Sequence, residues 1–390
     1  MSGITWIMLY MKILRHLFNL LNMHSLLRVA CSHLIALAVI ASSSDMVMAA
    51  SFDCKKAVST IDRRICASPQ LQKLDEHMGK LYEQRATSNE QRATSNGQRA
   101  VGADADAWRT DQRAWLRMRD SCDDAGCLQR VYLERLTVLE IGDGPFHWQG
   151  RWWRVDASGH YGAAVEIRDL TTKGLHFHID ASAGANQGEI EGTARFDADG
   201  VAKYVRVDSS QRCELTFRRR VNRIEIEQSG DQFACGAGMG VSYDGTYVLA
   251  ESDPNGAPDL VALGVVKTDA QNLAMRKLLG SGYDALASTA DGVSDNSAEF
   301  NVPGMTVVDT FVEGLACDMK AVVAYDTSGR VWVGLWSPNA KAGLPKLASG
   351  VVELRYYTNN PADKRRLPAA IESRRNHVCP SEREVMRMMP

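Results

Sequence analysis

The 390-residue sequence lacks an excess of charge of either sign: 45 lysines and arginines balance 47 aspartates and glutamates, for a net charge of −2. Nucleic-acid-binding domains present a basic face, so this balance gives no support for that class of partner. With 45% hydrophobic and 24% charged residues, the composition is that of an ordinary globular protein. The length accommodates roughly two or three domains.

The sequence also lacks the short motifs of common catalytic sites. It contains no Gly-x-Ser-x-Gly nucleophile elbow, no His-Glu-x-x-His zinc motif, no phosphate-binding loop and no Cys-x-x-Cys redox pair. Glu189 and Glu191 are the best candidates for a catalytic carboxylate pair, but they lie in an alternating segment, where acidic side chains usually face solvent. We therefore predict that the protein is not an enzyme and needs no cofactor.

A long apolar run is missing as well, so a membrane span is not expected. Residues 29–41 form a shorter run of about a dozen residues, with basic residues before it and the small residues of "VMAA" after it. This order is typical of a signal peptide, so residues 1–50 are predicted to be removed by cleavage near Ala49 and Ala50. Cys31 lies at the start of the apolar run rather than after it, and is therefore not a lipidation site.

Residues 1–22 are apolar too, which leaves open a later translation start at Met11 or Met23, or a second membrane span. We favour a soluble mature protein in the periplasm or outside the cell. An even number of cysteines in such an oxidising compartment predicts disulfide bonds rather than metal ligation. Without Cys31, the cysteines are Cys54, Cys66, Cys122, Cys127, Cys213, Cys235, Cys317 and Cys379.

Residues 51–141 have the period of amphipathic helices. Ser68 and Pro69 form a helix-start signal, and apolar residues follow at helical spacing. Trp108 and Trp115 recur at a spacing of seven on a second helix. We predict a small helical hairpin domain whose antiparallel helices bring the four nearest cysteines together as two nested bridges. The predicted bridges of the whole chain are Cys54–Cys127, Cys66–Cys122, Cys213–Cys235 and Cys317–Cys379.

A heptapeptide repeat, "EQRATSNEQRATSNGQRA", separates the two long helices at residues 83–100. Alanine is its only apolar residue, so the repeat offers little surface for a core. We interpret it as the solvated tip of the hairpin, with the turn near Gly97 and Gly102. The alternative is a recognition arm.

The stretches "FDCKKAVSTIDRRICASPQLQKLDEHMGKLYEQ", "QRAWLRMRDSC" and "CLQRVYLERLTVLE" together resemble the N-terminal domain of LprI-type lysozyme inhibitors. The resemblance covers residues 52–140 and includes four cysteines. The repeat departs from the simple pattern of the family, but it falls at the predicted hairpin tip. The resemblance implies that the protein binds and inhibits a peptidoglycan-cleaving, lysozyme-like muramidase.

After residue 145 the period changes from helical to alternating. Seven or eight short segments between turns predict antiparallel strands in residues 146–250, arranged as a sandwich or a small barrel. His176 and His178 point to one side of a strand and are a possible start of a zinc site, but no third ligand is evident nearby. We interpret them as a half-exposed polar strand face and predict no metal.

Residues 256–390 are predicted to form an α+β domain. The stretch "DAQNLAMRKLLG" indicates a helix that ends at Gly280, and four later segments indicate strands. A closing helical stretch is broken at Pro368. We expect a strand meander that helices cover on one face, and thus a multidomain α+β protein as a whole.

The predicted function is that of an exported envelope protein that inhibits a muramidase, for defence against host lysozyme or as an immunity protein against a toxin. The loop around Ser242, Tyr243 and Asp244 is the predicted contact, because it follows a glycine run and offers an aromatic anchor beside an acid. The alternative is a peptidoglycan- or glycan-binding module, with the tryptophans of residues 148–153 stacking on sugars, or an envelope-maintenance factor.

Mass spectrometry of the exported protein is expected to show a chain that starts at Ala50 or Ser51. The reason is that small residues precede these positions, as signal peptidase requires. The measurement is the intact mass of protein from the periplasmic fraction or the medium. A full-length product that stays in the membrane fraction would contradict the prediction.

Overall fold

The computed structural model describes helices at the N-terminal end, a closed barrel in the middle and a second sheet with helices at the C-terminal end. The predicted signal peptide, residues 1–50, lies outside the described residues. No helix in the described part of the chain is long and apolar enough to cross a membrane. The described ranges are 51–95, 100–141, 146–208, 211–230, 233–300, 302–337, 351–375 and 383–389.

Local sequence signals explain where the N-terminal helices begin. Ser59 caps the first helix by a capping box with Asp62, and Ser68 Oγ accepts a hydrogen bond from the Leu71 N–H at 3.3 Å. The predicted turn at Gly97 lies outside the described residues, whereas Gly102 lies within the third helix. The helices are α1 (Thr60–Ala67), α2 (Pro69–Ser95), α3 (Ala100–Asp120) and α4 (Ala125–Ile141).

The predicted apolar faces of these helices meet in one core. Trp115 and Tyr132 pack edge to face with 5.3 Å between their ring centroids. Asp75 is enclosed by the same core and accepts a hydrogen bond from the Tyr132 hydroxyl at 2.7 Å. The core includes Ile65, Leu71, Leu74, Met78, Trp108, Trp115, Leu128, Tyr132, Leu136 and Leu139.

The nested disulfide prediction is wrong: the helical region is closed by Cys54–Cys66 and Cys122–Cys127. The bridged cysteines are 12 and 5 residues apart in sequence, with Cα atoms 5.7 and 5.5 Å apart. The helix ends do approach each other as expected, but Arg64 occupies the approach and donates to the Cys122 carbonyl at 3.0 Å. Short loops cost little entropy to close, which favours the local pairing over the nested one.

The middle region is a closed, antiparallel eight-stranded barrel, the second of the two architectures expected from the alternation. Closure is complete because β1 pairs with both β2 and β8. Trp152, Phe177 and Phe217 fill the interior, and exposed residues such as Glu166 alternate with them. The strands are β1 (Gly150–Arg154), β2 (Tyr161–Arg168), β3 (Gly174–Ala183), β4 (Asn186–Phe196), β5 (Ala202–Asp208), β6 (Gln211–Arg220), β7 (Arg223–Gly230) and β8 (Gly245–Leu249).

The loop after β7 completes the barrel wall beside β4. Strands β4 and β5 pair at only two positions, near Phe196, and diverge beyond them. Ala237 forms a bridge to Gly188 of β4 in the space that results. The predicted Cys213–Cys235 disulfide is confirmed, and it ties this loop to β6.

The C-terminal region contains a six-stranded sheet in the order β14-β13-β12-β11-β10-β9. The predicted helix begins after the N-cap Thr268 and ends at Gly280, which has a φ of +51°. Strand β14 pairs in parallel with β13, which the strand pattern did not predict. The strands are β9 (Gly292–Asp295), β10 (Met305–Phe311), β11 (Lys320–Asp326), β12 (Val331–Ser337), β13 (Val351–Thr358) and β14 (Arg383–Met388).

Helices cover both faces of this sheet rather than one, contrary to expectation. Met275 and Leu286 pack on one face, and Ile371 packs on the other. Strand β12 is accordingly buried along its whole length. The predicted partner of Cys317, Cys379, lies outside the described residues, so that bridge stays a prediction. The helices are α5 (Asp269–Leu279), α6 (Tyr283–Ala287), α7 (Ser297–Phe300) and α8 (Ala369–Arg375).

Replacing both Cys213 and Cys235 by serine is expected to lower the free energy of unfolding by about 3 kcal/mol, because their bridge closes a 22-residue separation. The matched control replaces Cys122 and Cys127, which are 5 residues apart, and should cost about 2 kcal/mol. Urea unfolding measures both losses. A larger loss for the short loop would contradict the prediction.

Candidate functional site

A cleft of about 520 Å³ lies where α3 and α4 meet the barrel. Its floor is apolar, and charged side chains surround that floor. The helices supply Asp111, Ala114, Trp115, Met118, Arg130, Val131, Glu134, Arg135 and Val138. The barrel supplies Arg154, Val155, Asp156, Tyr161, Arg223, Gly245 and Thr246.

One carboxylate in this cleft joins the helices to the barrel. Asp111 Oδ2 accepts from Arg135 Nη1 of α4 at 2.6 Å, and its Oδ1 accepts from Arg223 Nη2 of β7 at 2.6 Å. The side chains of Asp111, Arg135 and Arg223 are 10%, 3% and 11% exposed. Burial opposes ionisation of Asp111, but the hydrogen bonds and charges of the two arginines outweigh it and lower its pKa.

Aromatic rings and an amide position Arg135 for this contact. Its guanidinium lies 5.9 Å from the ring centroids of both Trp108 and Trp115. Gln112 Oε1 accepts from Arg135 Nε and Nη2 at 3.1 and 2.7 Å. The two tryptophans are 6% and 4% exposed, so the helix face that they form belongs to the core and is unavailable as an anchor for a partner.

Glu134 of α4 lines the cleft, and its pKa is raised. Burial raises its pKa to about 7, and the negative charge of Asp156 adds to the effect. Arg130, the Ala157 N–H and Arg154 act in the opposite direction but are weaker. Near neutral pH this carboxyl group is therefore partly protonated, which limits the charge repulsion inside the cleft.

Asp156 organises the turn between β1 and β2 beside the cleft. Its carboxylate accepts from the Ser158 hydroxyl at 2.7 and 2.8 Å and from the backbone N–H groups of His160 and Tyr161. His160 Nε2 in turn lies 3.2 Å from Asp291, which ties the barrel to the C-terminal region. The Asp111 contacts in the cleft and the His160 contact beside it thus join separate regions of the chain.

The predicted contact residue Tyr243 does not project from the barrel. It is 0% exposed, and its ring lies in the barrel core, so the prediction of an aromatic anchor at this position is wrong. The reason is a glycine: a Cβ atom at Gly188 would lie 2.9 Å from the Tyr243 hydroxyl, so the missing side chain makes room for the ring. Burial raises the pKa of Tyr243 to about 12.

Ser242 and Asp244 remain at the surface but are engaged in local hydrogen bonds. Ser242 Oγ donates to Asp244 Oδ2 at 2.7 Å, and Asp244 Oδ1 accepts from the Gln228 N–H. Without the tyrosine between them, these two residues offer a small polar turn. Their role in partner binding stays a prediction.

The outer surface of β1–β4 carries an open groove of about 630 Å³. Cross-strand pairing places Trp153, Ala164, Asp180 and Glu189 in one row across the four strands. Small residues form the centre of the groove, with Trp153 on one side and carboxylates on the other. We call this surface the outer β1–β4 face; its outward side chains include Arg151, Trp153, Ala164, Glu166, His178, Asp180, Glu189 and Glu191.

The acidic residues of the outer β1–β4 face are accessible to a partner. The side chains of Asp180, Glu189 and Glu191 are 63%, 70% and 70% exposed. Glu189 and Glu191, the carboxylate pair considered from sequence, lie on this surface, with His178 within 4 Å of each. Their environment is that of an exposed ion-pair network, as expected for an alternating strand.

The structure groups His178 with two carboxylates and not with His176. His178, Asp180 and Glu189 have potential ligand atoms within 4.8 Å of one another. His178 Nε2 is 3.3 Å from Asp180 and 3.8 Å from Glu189, so ion pairing already accounts for the cluster. We keep the interpretation of a polar strand face.

Of the three tryptophans expected to stack on sugars, Trp152 is buried, whereas Trp148 and Trp153 are partly exposed. Trp152 is 1% exposed, and its Nε1 donates to the Trp148 carbonyl at 2.9 Å within the barrel core. Trp153 is half-buried on the outer β1–β4 face, with the Arg151 guanidinium 4.6 Å from its ring centroid. Trp148 is partly buried against the barrel core, so Trp153 is the accessible tryptophan on the outer β1–β4 face.

The helices are joined to the closed barrel by the contact between Asp111 and Arg223. Residues 53–139 match the family model described as Lysozyme inhibitor LprI. This match covers α1 to α4 and less than a quarter of the 390 residues. Searches of the curated proteins and of the solved structures found no match.

The substitution Asp111→Ala is expected to lower the free energy of unfolding by about 3 kcal/mol, because it leaves two buried arginines without their counter-charge. The pKa of Asp111 is lowered in the folded protein, so its contribution is complete above about pH 4 and is lost as the pH falls through the folded value. Urea unfolding between pH 3 and pH 7 measures the difference.

The matched control for this substitution is Asp106→Ala on the same helix. Asp106 is 77% exposed and pairs with Arg109, so its loss should cost less than about 0.5 kcal/mol. Equal losses for the two variants, or an Asp111→Ala loss that does not shrink in acid, would rule out the proposed role of the two-arginine contact.

Proposed function

We propose that the mature chain is an exported, non-catalytic protein of the bacterial envelope that binds a lysozyme-like muramidase and occludes its substrate cleft. The match of residues 53–139 to the lysozyme inhibitor family carries this proposal. The target is either a host lysozyme or a muramidase toxin from a competing bacterium, for which the chain would be an immunity protein.

The scaffold supports such a role. The bridges Cys54–Cys66, Cys122–Cys127 and Cys213–Cys235 hold turns and loops of the described chain in place. A surface that is already ordered loses little conformational entropy on binding, so more of the contact energy becomes affinity. Disulfides of this number also favour an oxidising compartment, in agreement with the proposed export.

The outer β1–β4 face is the contact surface that we propose in place of Tyr243. Lysozymes of the animal type are basic, and the exposed acids Asp180, Glu189 and Glu191 provide complementary charge. Trp153, which is half-buried on this face, supplies the aromatic anchor that the sequence had placed at Tyr243. The groove between them has small side chains at its centre and leaves room for a loop of the partner.

The inhibition test is the loss of turbidity of a cell-wall suspension, measured with a panel of muramidases and the full mature chain. We expect the chain to slow a basic muramidase at micromolar excess. The double variant Asp180→Lys, Glu189→Lys should weaken inhibition about tenfold, because two attractive charges become repulsive. The matched control is Glu227→Lys, another exposed glutamate, on β7 outside this groove.

Added salt should weaken inhibition by the unchanged chain more than inhibition by the double variant, because salt screens exposed charges. If no muramidase is slowed and the chain sediments with purified peptidoglycan, the wall-binding alternative replaces the inhibitor proposal. If charge reversal leaves inhibition unchanged, the contact surface lies elsewhere, and the family-matched helices become the first place to look.

A further inference from the structure

A fully buried carboxylate in the N-terminal helices has no cationic side chain paired with it among the described residues. Asp75 of α2 is 0% exposed. Its Oδ1 accepts from the Tyr132 hydroxyl at 2.7 Å, and its Oδ2 accepts from the Ser51 backbone N–H and hydroxyl at 2.7 and 2.6 Å. A buried charge without a directly paired counter-charge destabilises the folded state, so the burial of Asp75 requires an explanation.

The backbone nitrogen that contacts Asp75 belongs to one of the two residues expected to begin the mature chain. We propose that signal peptidase hydrolyses the Ala50–Ser51 peptide bond and that the new α-ammonium group of Ser51 becomes the counter-ion of Asp75. Water supplies the atoms of the reaction: Ala50 leaves with a carboxylate, and Ser51 gains the protonated amine. The proposal rests on export of the chain but not on inhibition of a muramidase.

The geometry before and after cleavage supports this assignment. In the uncleaved chain the Ser51 nitrogen is a neutral amide with one hydrogen, which it donates to Asp75. After cleavage the same nitrogen carries a positive charge and three donors. The nitrogen-to-oxygen distance of 2.7 Å is that of a charge-assisted hydrogen bond, so the ion pair needs no rearrangement.

A glycine inside α2 independently indicates that Ser51 is held at this position. Glycine in a helix interior is destabilising, so Gly79 needs a reason. A Cβ atom built at Gly79 would lie 3.1 Å from the Ser51 Cβ, tighter than ordinary packing allows. Gly79 follows Asp75 by one helical turn, so the same helix face supplies both the carboxylate and the space for the chain terminus.

Three helices contribute the polar groups around the proposed ion pair. Asp75 lies on α2, Tyr132 on α4 and Arg119 on α3. Burial and the charge of Asp75 raise the pKa of Tyr132, so its hydroxyl stays neutral and donates to the carboxylate. Arg119 pairs with Asp120 at 2.7 Å and also interacts with the Tyr132 hydroxyl, whereas the Ser51 nitrogen contacts Asp75 directly.

The experiment compares full mature chains that differ only at the N-terminus: one starting at Ser51 with a free amine, one starting at Ser51 with an acetylated amine, and one starting at Ala50. At pH 7 the free Ser51 form is expected to have an unfolding equilibrium constant about tenfold smaller than the acetylated form, which corresponds to an α-amino pKa raised by about one unit. The Ala50 form should behave like the acetylated form.

The pH dependence follows from the raised pKa of the amine. The advantage of the free Ser51 form should be complete below about pH 8, the unfolded value, and should disappear as the pH rises through about 9. In an Asp75→Asn background the free and acetylated forms should unfold alike. The matched control is Ser51→Ala, which removes the hydroxyl contact with Asp75 but keeps the amine, so the effect of acetylation should persist.

Equal stability of the free and acetylated forms at pH 7 would overturn the proposal, as would a difference that survives in Asp75→Asn. If Asp75→Asn does not fold, titration of the α-amino group in the unchanged chain decides, and a pKa near 8 overturns the proposal. Inhibition assays on the same samples separate this outcome from failure of the proposed function, since the N-terminus is not part of the outer β1–β4 face.

Discussion

The arrangement of this protein depends on one carboxylate held between two arginines. Asp111 lies on α3, Arg135 on α4 and Arg223 at the start of β7, so three elements distant in sequence meet at one charge. A buried ion pair contributes modestly when complete but is costly when one partner is missing. The helices therefore satisfy all three groups in one position on the barrel. This requirement fixes how the helices are placed against the barrel.

Several aromatic side chains support the interior of the protein. Trp108 and Trp115 flank Arg135 rather than facing a partner. Tyr243 enters the barrel through space left by Gly188. In both cases an aromatic ring packs against or positions a neighbouring residue, because large apolar side chains gain most from burial. The acids of the outer β1–β4 face, by contrast, are exposed.

The helical region and the barrel make different contributions to the proposed function. The family match covers the helices only, yet the open groove of the outer β1–β4 face lies on the barrel. The Arg223 contact links the two, because it begins in the barrel and ends on α3. An inhibitor with this organisation would use the stapled helices as a support and the barrel as the surface that selects its partner by charge.

The amino-acid sequence by itself determined the features that depend on neighbours along the chain. The start of α2 at Pro69, the end of α5 at Gly280 and the alternation of the barrel strands follow from local conformational preference, and the structure has all three. The Cys213–Cys235 bridge follows as well, because both cysteines flank one hairpin. The family resemblance could likewise be recognised from residue spacing, and residues 53–139 match that family.

Only the tertiary structure decided the features that depend on packing between distant residues. The contact of Arg64 with the Cys122 carbonyl joins α1 to the end of α3, residues 58 positions apart. The parallel pairing of β14 and the second helical layer on the C-terminal sheet likewise arise from contacts far apart in sequence. Ser51 and Asp75 are 24 residues apart, and the residues around each of them do not predict their contact. The contact forms only when the helices have packed and Asp75 is buried.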